Sequence, residues 1–270
     1  MSPLITRRRA ATAVLTTALL IPLAACGDSG SDQAKDSGSK ATSSASNAPK
    51  ADLTVLAAAS LTDVFKEAGA AYEKENPGTK VTFSFAGSQE LAAQVKQGAP
   101  ADALVTADTR TMDGLTGETG TPAVIAKNRL VIAVGEGNPE KVENLKDLSD
   151  AELKVVLAAP EVPVGRYSKQ ILDAQKIEVK PVSQEPNVRA VLSKVELGEA
   201  DAGLVYRTDA ATATDKVDAI DIPDAENAVA SYPAATLKGS KHSEAAAAFV
   251  AWLSTPAAQK ILQGAGFQQP

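Results

Sequence analysis

The chain has 270 residues, a formal net charge of −6, and only one cysteine and one histidine. A single thiol cannot form an internal disulfide, and one thiol with one imidazole cannot build a zinc site of the usual kind. The acidic balance also makes nucleic acid an unfavourable partner. The stability of the fold must therefore come from a hydrophobic core.

The N-terminal segment has the composition of an export signal. Three arginines at positions 7–9 precede an apolar stretch over residues 10–25, which is too short for a stable transmembrane helix. Residues 23–26, Leu-Ala-Ala-Cys, have the form of a lipobox. This pattern predicts a signal peptide over residues 1–25 and a lipid on Cys26, anchored on the extracytoplasmic face of the cell membrane. A plain signal peptide with an incidental cysteine is the alternative.

Residues 26–50 are predicted to form a disordered tether that begins at the lipidated cysteine. Residues 27–50 contain no Leu, Ile, Val or aromatic side chain, so they cannot bury enough apolar surface to offset the entropy of ordering. A flexible coil of this length spans roughly 25–30 Å. The remaining body, residues 51–270, suits one large domain or two smaller ones.

Strand and helix patterns alternate along the body. Strands are predicted over residues 53–57, 81–85, 103–106, 127–134, 153–158, 202–206 and 229–237. Helices are predicted from Ser60, from Ser88, over residues 165–175, from Asn187, and in two alanine-rich segments near the C-terminus. The alternation predicts an α/β fold with mixed, mostly parallel sheets and flanking helices. Ser60 with Asp63 also fits the form of a capping box.

Two apolar runs, around Leu130 and Tyr232, are candidates for strands that cross between two lobes. That topology would place residues 51–129 and 233–270 in lobe 1 and residues 130–232 in lobe 2. A single continuous sheet is the alternative, and the residues alone leave the two architectures about equally favoured.

Several predicted helices begin directly after a strand, at Ser60, Ser88, Val164 and Val188. The first turn of a helix has free backbone N–H groups and a partial positive charge, so it binds anions without an ionised side chain. Serine adds a hydroxyl donor. The plainer interpretation is that Ser60 and Ser88 only cap their own helices.

The residues give little support for catalysis. A serine nucleophile needs a neighbouring base, and the only imidazole, His242, lies in a polar segment that predicts a solvated surface position. Asp102 and Asp108 flank a predicted strand, where turn and cap roles are expected rather than acid–base work. No phosphate-binding loop of the P-loop form is present in the sequence.

An ordered set of motifs along the whole body resembles the molybdate-binding proteins of bacterial molybdate importers. The motifs are Thr-Val-Leu-Ala-Ala-Ala-Ser-Leu at 54–61, Phe-Ala-Gly-Ser at 85–88, Gly-Ala-Pro-Ala-Asp at 98–102, Val-Pro-Val-Gly-Arg-Tyr at 162–167, Asn-Val-Arg at 187–189, Gly-Leu-Val-Tyr-Arg-Thr-Asp-Ala at 203–210 and Gly-Ala-Gly-Phe at 264–267. The resemblance implies a two-lobed periplasmic-binding fold of the second type, which favours the two-lobe division above, with the ligand in the cleft between the lobes.

The same resemblance implies a set of ligand contacts made by hydrogen bonds alone. The contact groups would be the hydroxyl and backbone N–H of Ser60 and Ser88, the backbone N–H of Val164 and Val188, and the hydroxyl of Tyr206. Molybdenum would be held only as its oxyanion, with no further cofactor. Position 87 is Gly where some relatives carry Ser, and position 164 is Val where some carry Ala.

A neutral shell of donors suits a fully deprotonated dianion, whereas phosphate near pH 7 keeps a proton that needs an acceptor. The resemblance makes molybdate the expected ligand, and tungstate, of nearly the same size, is expected to bind about as well. The expected partners are an ABC permease and its ATPase. The receptor itself is expected to be a monomer that closes on its ligand by a hinge motion before it docks on the permease. Alternatives are a receptor for sulfate or another small oxyanion, a surface hydrolase, and a scaffold or adhesin lipoprotein. Arg166 and Arg189 adjoin contact residues and are expected to be solvated or paired at the surface.

Overall fold

A computed structural model of the chain describes residues 49–270. The predicted signal peptide, the lipid site at Cys26 and nearly all of the predicted tether lie outside the described residues. Pro49 and Lys50, at the end of the predicted tether, are exposed. Within residues 49–270, no helix combines the length and the apolar character needed to cross a bilayer.

The described residues form nine strands and eight α-helices. The strands are β1 (Asp52–Ala58), β2 (Lys80–Ala86), β3 (Ala103–Val105), β4 (Ala123–Gly135), β5 (Val155–Ala158), β6 (Ser183–Glu185), β7 (Ala202–Tyr206), β8 (Val217–Asp221) and β9 (Val229–Thr236). The helices are α1 (Thr62–Glu75), α2 (Ser88–Lys96), α3 (Thr109–Asp113), α4 (Pro163–Gln175), α5 (Val188–Glu196), α6 (Arg207–Ala210), α7 (Ser243–Trp252) and α8 (Pro256–Gly264). Two short 3₁₀ helices cover Ala59–Leu61 and Leu145–Ser149.

Every strand predicted from the sequence is present, with ends that move by one or two residues in most cases. The elements that sequence patterns missed are short: β6, β8, α3 and α6 have three to five residues each. β8 buries only its first residue, Val217, so it lacks the apolar alternation that reveals a half-buried strand. Its place is determined by pairing with β4 and not by its own pattern.

The strands pair in the order β2-β1-β3-β9-β4-β7-β5-β6, with β8 added on β4. The sheet is mixed, as expected, but the expectation of mostly parallel pairing holds only for its two outer groups. β1 is parallel to β2 and β3, and β5 is parallel to β6 and β7. β4 and β9 run antiparallel to all of their neighbours.

β4 is the strand that joins the two groups. Its first part, residues 123–129, pairs with β9, and its second part, residues 130–135, pairs with β7 and β8. β9 in turn pairs with β3. The change of partner falls between Arg129 and Leu130, which is where the proposed boundary between lobes 1 and 2 lies; the division into lobes itself stays a prediction.

α1 shows how the core places the end of β1. The inward residues of α1 recur at helical spacing, and Phe65 and Tyr72 are almost fully buried. The Tyr72 ring meets Phe249 and Trp252 of α7 edge-on, at centroid distances of 5.1 and 5.3 Å. Each large buried side chain contributes roughly 1.5–3 kcal/mol. This packing fixes α1 against the sheet and thereby holds the β1–α1 connection in place.

Candidate functional site

The five residues predicted to contact a ligand line one small cavity with an empty volume of about 210 Å³. They come from five different connections in the fold. Ser60 follows β1, Ser88 follows β2, Val164 follows β5, Val188 follows β6, and Tyr206 ends β7. The carboxyl ends of parallel strands are where α/β folds place ligand sites. The structure thus brings all five predicted residues together; their role in binding stays a prediction.

Three helices direct their first turns at this cavity. Ser88 and Val188 are the first residues of α2 and α5, and Val164 is the second residue of α4, after Pro163. The first N–H groups of a helix have no acceptor within that helix, and they carry the positive end of its dipole. Asn187 caps α5 as predicted, since its Oδ1 accepts from the Ala190 N–H at 3.0 Å.

Ser60 does not form the expected capping box. A 3₁₀ turn over Ala59–Leu61 precedes α1, so Leu61 occupies the N-cap position and no side chain caps the helix. Ser60 is therefore one residue too early to cap. Its Oγ lies instead 3.0 Å from the Tyr232 hydroxyl.

Ser88 does not cap its own helix either. The N-cap of α2 is Gly87, and Ser88 Oγ accepts a hydrogen bond from the Ala107 N–H at 3.0 Å. Both serine side chains are nearly fully buried, with 3% and 2% of their surface exposed. The plainer interpretation of these two serines as helix caps is therefore wrong. The Ser88 hydroxyl proton is free to face the cavity, whereas either hydroxyl can be the donor in the contact between Ser60 and Tyr232.

The hydroxyl of Tyr206 is buried at the same cavity and has no hydrogen-bond partner among the described residues. Burial, followed by the neighbouring Tyr232, raises the pKa of Tyr206 well above its usual range, so the phenol stays protonated and able to donate. A buried polar group left unpaired costs about 1–3 kcal/mol. The free hydroxyl is thus a donor that a bound acceptor would satisfy.

Neutral residues alone line the cavity within the described part of the chain. They are Ala58, Ala59, Ser60, Ala86, Gly87, Ser88, Ala107, Val162, Pro163, Val164, Asn187, Val188 and Tyr206. The side-chain oxygen of Asn187 is already used in capping α5. None of these groups is ionised, and the backbone N–H and hydroxyl groups among them can donate to an acceptor-only anion.

Two glycines allow the backbone to approach closely here. A Cβ at Gly165 would lie 2.1 Å from the Ala159 carbonyl oxygen, so only glycine lets the start of α4 pack against the end of β5. A Cβ at Gly87 would lie 2.5 Å from the Pro186 carbonyl oxygen, on the opposite side of the cavity.

Arg166 and Arg189 are paired, but with buried carboxylates as well as surface ones. Arg166 donates from Nε to Asp108 Oδ2 at 2.8 Å, and the Asp108 side chain is only 5% exposed. Arg189 contacts Asp209, whose side chain is fully buried, at 2.6 Å and the more exposed Asp63 at 2.8 Å. The expectation of surface pairing is thus wrong for Asp108 and Asp209, because both lie where helices α4 and α5 pack close to the cavity.

These arginines also join elements on opposite sides of the cavity. Arg166 belongs to α4 and its partner Asp108 follows β3, while Arg189 belongs to α5 and its partner Asp63 lies in α1. Gln89 of α2 adds a third link, donating from Nε2 to the Pro186 carbonyl at 2.7 Å. Side-chain contacts therefore link the two sides of the cavity.

The carboxylates and the histidine singled out as catalytic alternatives have structural partners. Asp108 caps α3 through the Thr111 N–H at 3.0 Å, as the cap interpretation predicted. Asp102 has a tertiary contact and not a turn role, since it accepts from the Thr54 N–H, 48 residues away in the chain, at 2.8 Å. His242 is exposed, and its Nδ1 lies 3.3 Å from Asp102. Neither serine of the cavity is a hydrogen-bond partner of this imidazole, so it is not placed to activate them.

Asp209 gives the site a predictable dependence on pH. Burial raises the pKa of its carboxyl to about 6, and Arg189 offsets part of that rise. Between about pH 4 and 6 the folded state therefore holds a proton that the unfolded chain, with a pKa near 3.9, has lost. The contribution of Asp209 to the free energy of unfolding must fall as pH rises through this window, by up to roughly 1.4 kcal/mol per pH unit.

Asp209→Asn is expected to remove this slope. Urea unfolding at pH 4, 5, 6 and 7 measures the free energy of unfolding of each protein. The quantity to compare is the wild-type value minus the variant value at each pH. The difference should decrease towards pH 7. Parallel curves for wild type and Asp209→Asn would contradict the assignment.

Tyr232 is the residue at this site that sequence reasoning missed. The sequence predicts it only as part of a strand that crosses between lobes, yet its hydroxyl hydrogen-bonds with Ser60 Oγ. The available signal was a tyrosine inside an otherwise apolar, buried strand, because a buried phenol needs a partner for its hydroxyl. Which partner it finds depends on tertiary contacts 172 residues apart in the chain.

Comparison with known proteins places the chain in a family. Residues 53–268 match the family described as bacterial extracellular solute-binding protein. The molybdate-binding protein ModA of Mycobacterium tuberculosis is 40% identical over 263 residues, covering 96% of this chain and 97% of the relative. The ModA protein of Haemophilus influenzae is 35% identical over 233 residues, covering 82% and 91%.

Solved structures agree on the fold. The periplasmic molybdate-binding protein of Azotobacter vinelandii aligns with a TM-score of 0.69 and 23% identity, covering 81% of this chain and 99% of its own. The sulfate-binding protein SubI of Mycobacterium tuberculosis aligns with a TM-score of 0.73 and 19% identity, covering 81% and 86%. The periplasmic-binding fold of the second type, expected from the motifs, is thereby confirmed, and the chain belongs to the bacterial extracellular solute-binding protein family.

Proposed function

We propose that this protein captures molybdate outside the cytoplasm and delivers it to an ABC importer, with tungstate bound about equally well. The observation that carries the proposal is the convergence of Ser60, Ser88, Val164, Val188 and Tyr206 on one cavity lined by neutral residues. Such a shell stabilises a dianion by hydrogen bonds and helix dipoles alone. Molybdenum is held as its oxyanion, and no cofactor is required.

The relatives support this choice of ligand over other oxyanions. Curated relatives that carry the name molybdate-binding protein are similar to this chain over nearly its whole length, at up to 40% identity. The sulfate-binding protein shares the fold at 19% identity, which speaks only to architecture. Sulfate has the same charge and shape in a smaller size, so we keep it as a comparison ligand in the test below.

Binding, and not catalysis, is the chemistry that the cavity supports. A hydrolase would need a base beside Ser60 or Ser88, and their hydroxyls bond instead to Tyr232 and to the Ala107 backbone. Within residues 49–270, no cluster of three or more His, Cys, Asp or Glu side chains could hold a metal ion. The proposed role is therefore that of a receptor.

The remaining parts of the proposal concern the surroundings of the receptor. We place it on the extracytoplasmic face of the cell membrane, anchored by lipid on Cys26 and acting as a monomer. Its partners are a permease and the ATPase of that permease, which the ligand-bound form meets. The contacts of Arg166, Arg189 and Gln89 across the cavity support a closed form of this kind.

Thermal unfolding of residues 51–270 tests the ligand. A ligand present at about 100 times its dissociation constant stabilises the folded state by roughly 2.7 kcal/mol. For a body of this size, that raises the unfolding midpoint by roughly 5–11 °C. We expect this shift with molybdate and with tungstate, and little or none with sulfate or phosphate.

Each pattern of shifts has a definite meaning. Equal shifts with sulfate would favour a general receptor for tetrahedral dianions, and a shift with sulfate alone would favour a sulfate receptor. No shift with any of the four anions would contradict the proposed ligand class. The same unfolding measurements are repeated on a sample that was incubated with excess molybdate and then dialysed. They show whether anion retained by the protein already raises the unfolding midpoint.

A further inference from the structure

The bond between Ser60 and Tyr232 determines what Ser60 presents to the cavity. Ser60 Oγ and the Tyr232 hydroxyl oxygen lie 3.0 Å apart, and both side chains are buried. A hydroxyl has one proton, so only one of the two can donate in this bond. If Ser60 donates, it offers the cavity only lone pairs; if Tyr232 donates, the Ser60 proton remains for the cavity.

The chemistry of the two hydroxyl groups favours the second direction. A phenol is more acidic than an aliphatic alcohol, so in the 3.0 Å contact the Tyr232 hydroxyl is the stronger donor and the Ser60 hydroxyl is the better acceptor. The Tyr232 proton is therefore directed to the Ser60 oxygen, and the Ser60 proton is left for the cavity.

Ser88 has the same arrangement with a backbone donor. Its Oγ accepts from the Ala107 N–H, and a backbone N–H cannot accept in return. The Ser88 proton is therefore also left for the cavity. Two serines from different connections thus reach the same state, in which a fixed donor behind each hydroxyl occupies one of its lone pairs.

We propose that Tyr232 is a positioning residue for the ligand, which makes Ser60 a donor and so sets the site against oxyanions that carry a proton. This inference rests on the proposed function, because it concerns how the same cavity selects among oxyanions. A protonated oxyanion such as hydrogen phosphate needs an acceptor in the site. Because Tyr232 and the Ala107 N–H donate to Ser60 and Ser88, both serines present a proton to the cavity and do not rotate to present an acceptor.

Tyr232→Phe tests the proposal because it removes one hydroxyl and keeps the ring. That ring packs edge-on against Tyr206 and Phe267, at centroid distances of 5.9 and 5.3 Å, and phenylalanine preserves both contacts. The Ser60 hydroxyl can then rotate and accept. We expect molybdate affinity to fall about 3- to 10-fold, the net worth of one hydrogen bond, while phosphate affinity stays constant or rises.

The measurement is calorimetric titration with molybdate, followed by displacement with inorganic phosphate, both at pH 7. Tyr72→Phe is the matched control: it removes another buried phenol hydroxyl, one without a partner, in the packing of α1 against α7. It should leave both affinities unchanged. In a Ser60→Ala background, Tyr232→Phe should no longer change the molybdate-to-phosphate ratio, since the two residues act through one bond.

The outcomes separate this inference from the proposed function. A wild-type protein that binds molybdate, with a Tyr232→Phe variant of unchanged affinity ratio, would overturn the role of Tyr232 alone. The role of Tyr232 would also be overturned if Tyr232→Phe changed the molybdate-to-phosphate affinity ratio equally in the Ser60→Ala background. That result would indicate a structural effect that does not act through Ser60. A wild-type protein that binds neither anion would overturn both the proposed function and this inference.

Discussion

Replacing Ser60 and Ser88 together by alanine is expected to weaken molybdate binding by roughly 10²- to 10⁴-fold. Each substitution removes one hydroxyl donor to a charged ligand, and such hydrogen bonds contribute about 1.5–3 kcal/mol each. The backbone N–H groups of the helix starts remain, so weak residual binding is expected. Isothermal titration of residues 51–270 with molybdate measures the loss directly.

The matched control changes two serines that lie away from the cavity. Ser149 and Ser183 hydrogen-bond locally, to the Lys146 carbonyl at 2.8 Å and to Glu185 at 2.6 Å. The double variant Ser149→Ala/Ser183→Ala should bind molybdate as wild type does. An affinity within about twofold of wild type for Ser60→Ala/Ser88→Ala would show that the ligand is bound elsewhere, and would remove the site assignment.

The second large effect is on stability and concerns Arg189. Its guanidinium pairs with Oδ1 of Asp209, a carboxylate with no exposed surface. The other oxygen, Oδ2, has no hydrogen-bond partner among the described residues. Removing one member of a buried pair costs about 3–5 kcal/mol. Because a quarter of the Arg189 side chain is exposed, we expect Arg189→Met to cost about 2–4 kcal/mol at pH 7.

Urea unfolding of the ligand-free protein measures this cost against a closely similar pair. Arg207 bonds Asp221 at the same 2.6 Å, but these side chains are 48% and 68% exposed. Arg207→Met should therefore cost less than about 1 kcal/mol. Asp209→Asn added to Arg189→Met should recover most of the loss, since no unpaired charge then remains. Equal costs for the two arginines would contradict the importance of burial here.

The pH dependence of the Arg189→Met effect follows from the same carboxyl group. Without the guanidinium, the pKa of Asp209 must rise further than in wild type, because burial then acts without an opposing charge. The folded variant keeps its proton to higher pH than the unfolded chain. Its stability is consequently closest to wild type near pH 4 and falls progressively as pH increases.

Local sequence determined most of the secondary structure of this protein. Apolar alternation located the strands, and helical spacing such as that of Phe65 and Tyr72 located the amphipathic helices, because both signals depend on neighbours in the chain. Ordered motifs then indicated the fold class and gathered Ser60, Ser88, Val164, Val188 and Tyr206 into one predicted site. The short elements β6 and β8 escaped, since pairing with other strands and not local pattern stabilises them.

Tertiary structure alone decided what the polar groups of the site do. Both serines begin helices in the sequence, and local rules assign such serines to helix capping. The fold pairs them instead with the Tyr232 hydroxyl and with the Ala107 N–H. Likewise, Arg189 was expected at the surface, but the packing of α5 buries its partner Asp209. Hydrogen bonds and ion pairs between distant segments depend on which chains meet after folding, so their direction and burial cannot be read from spacing along the chain.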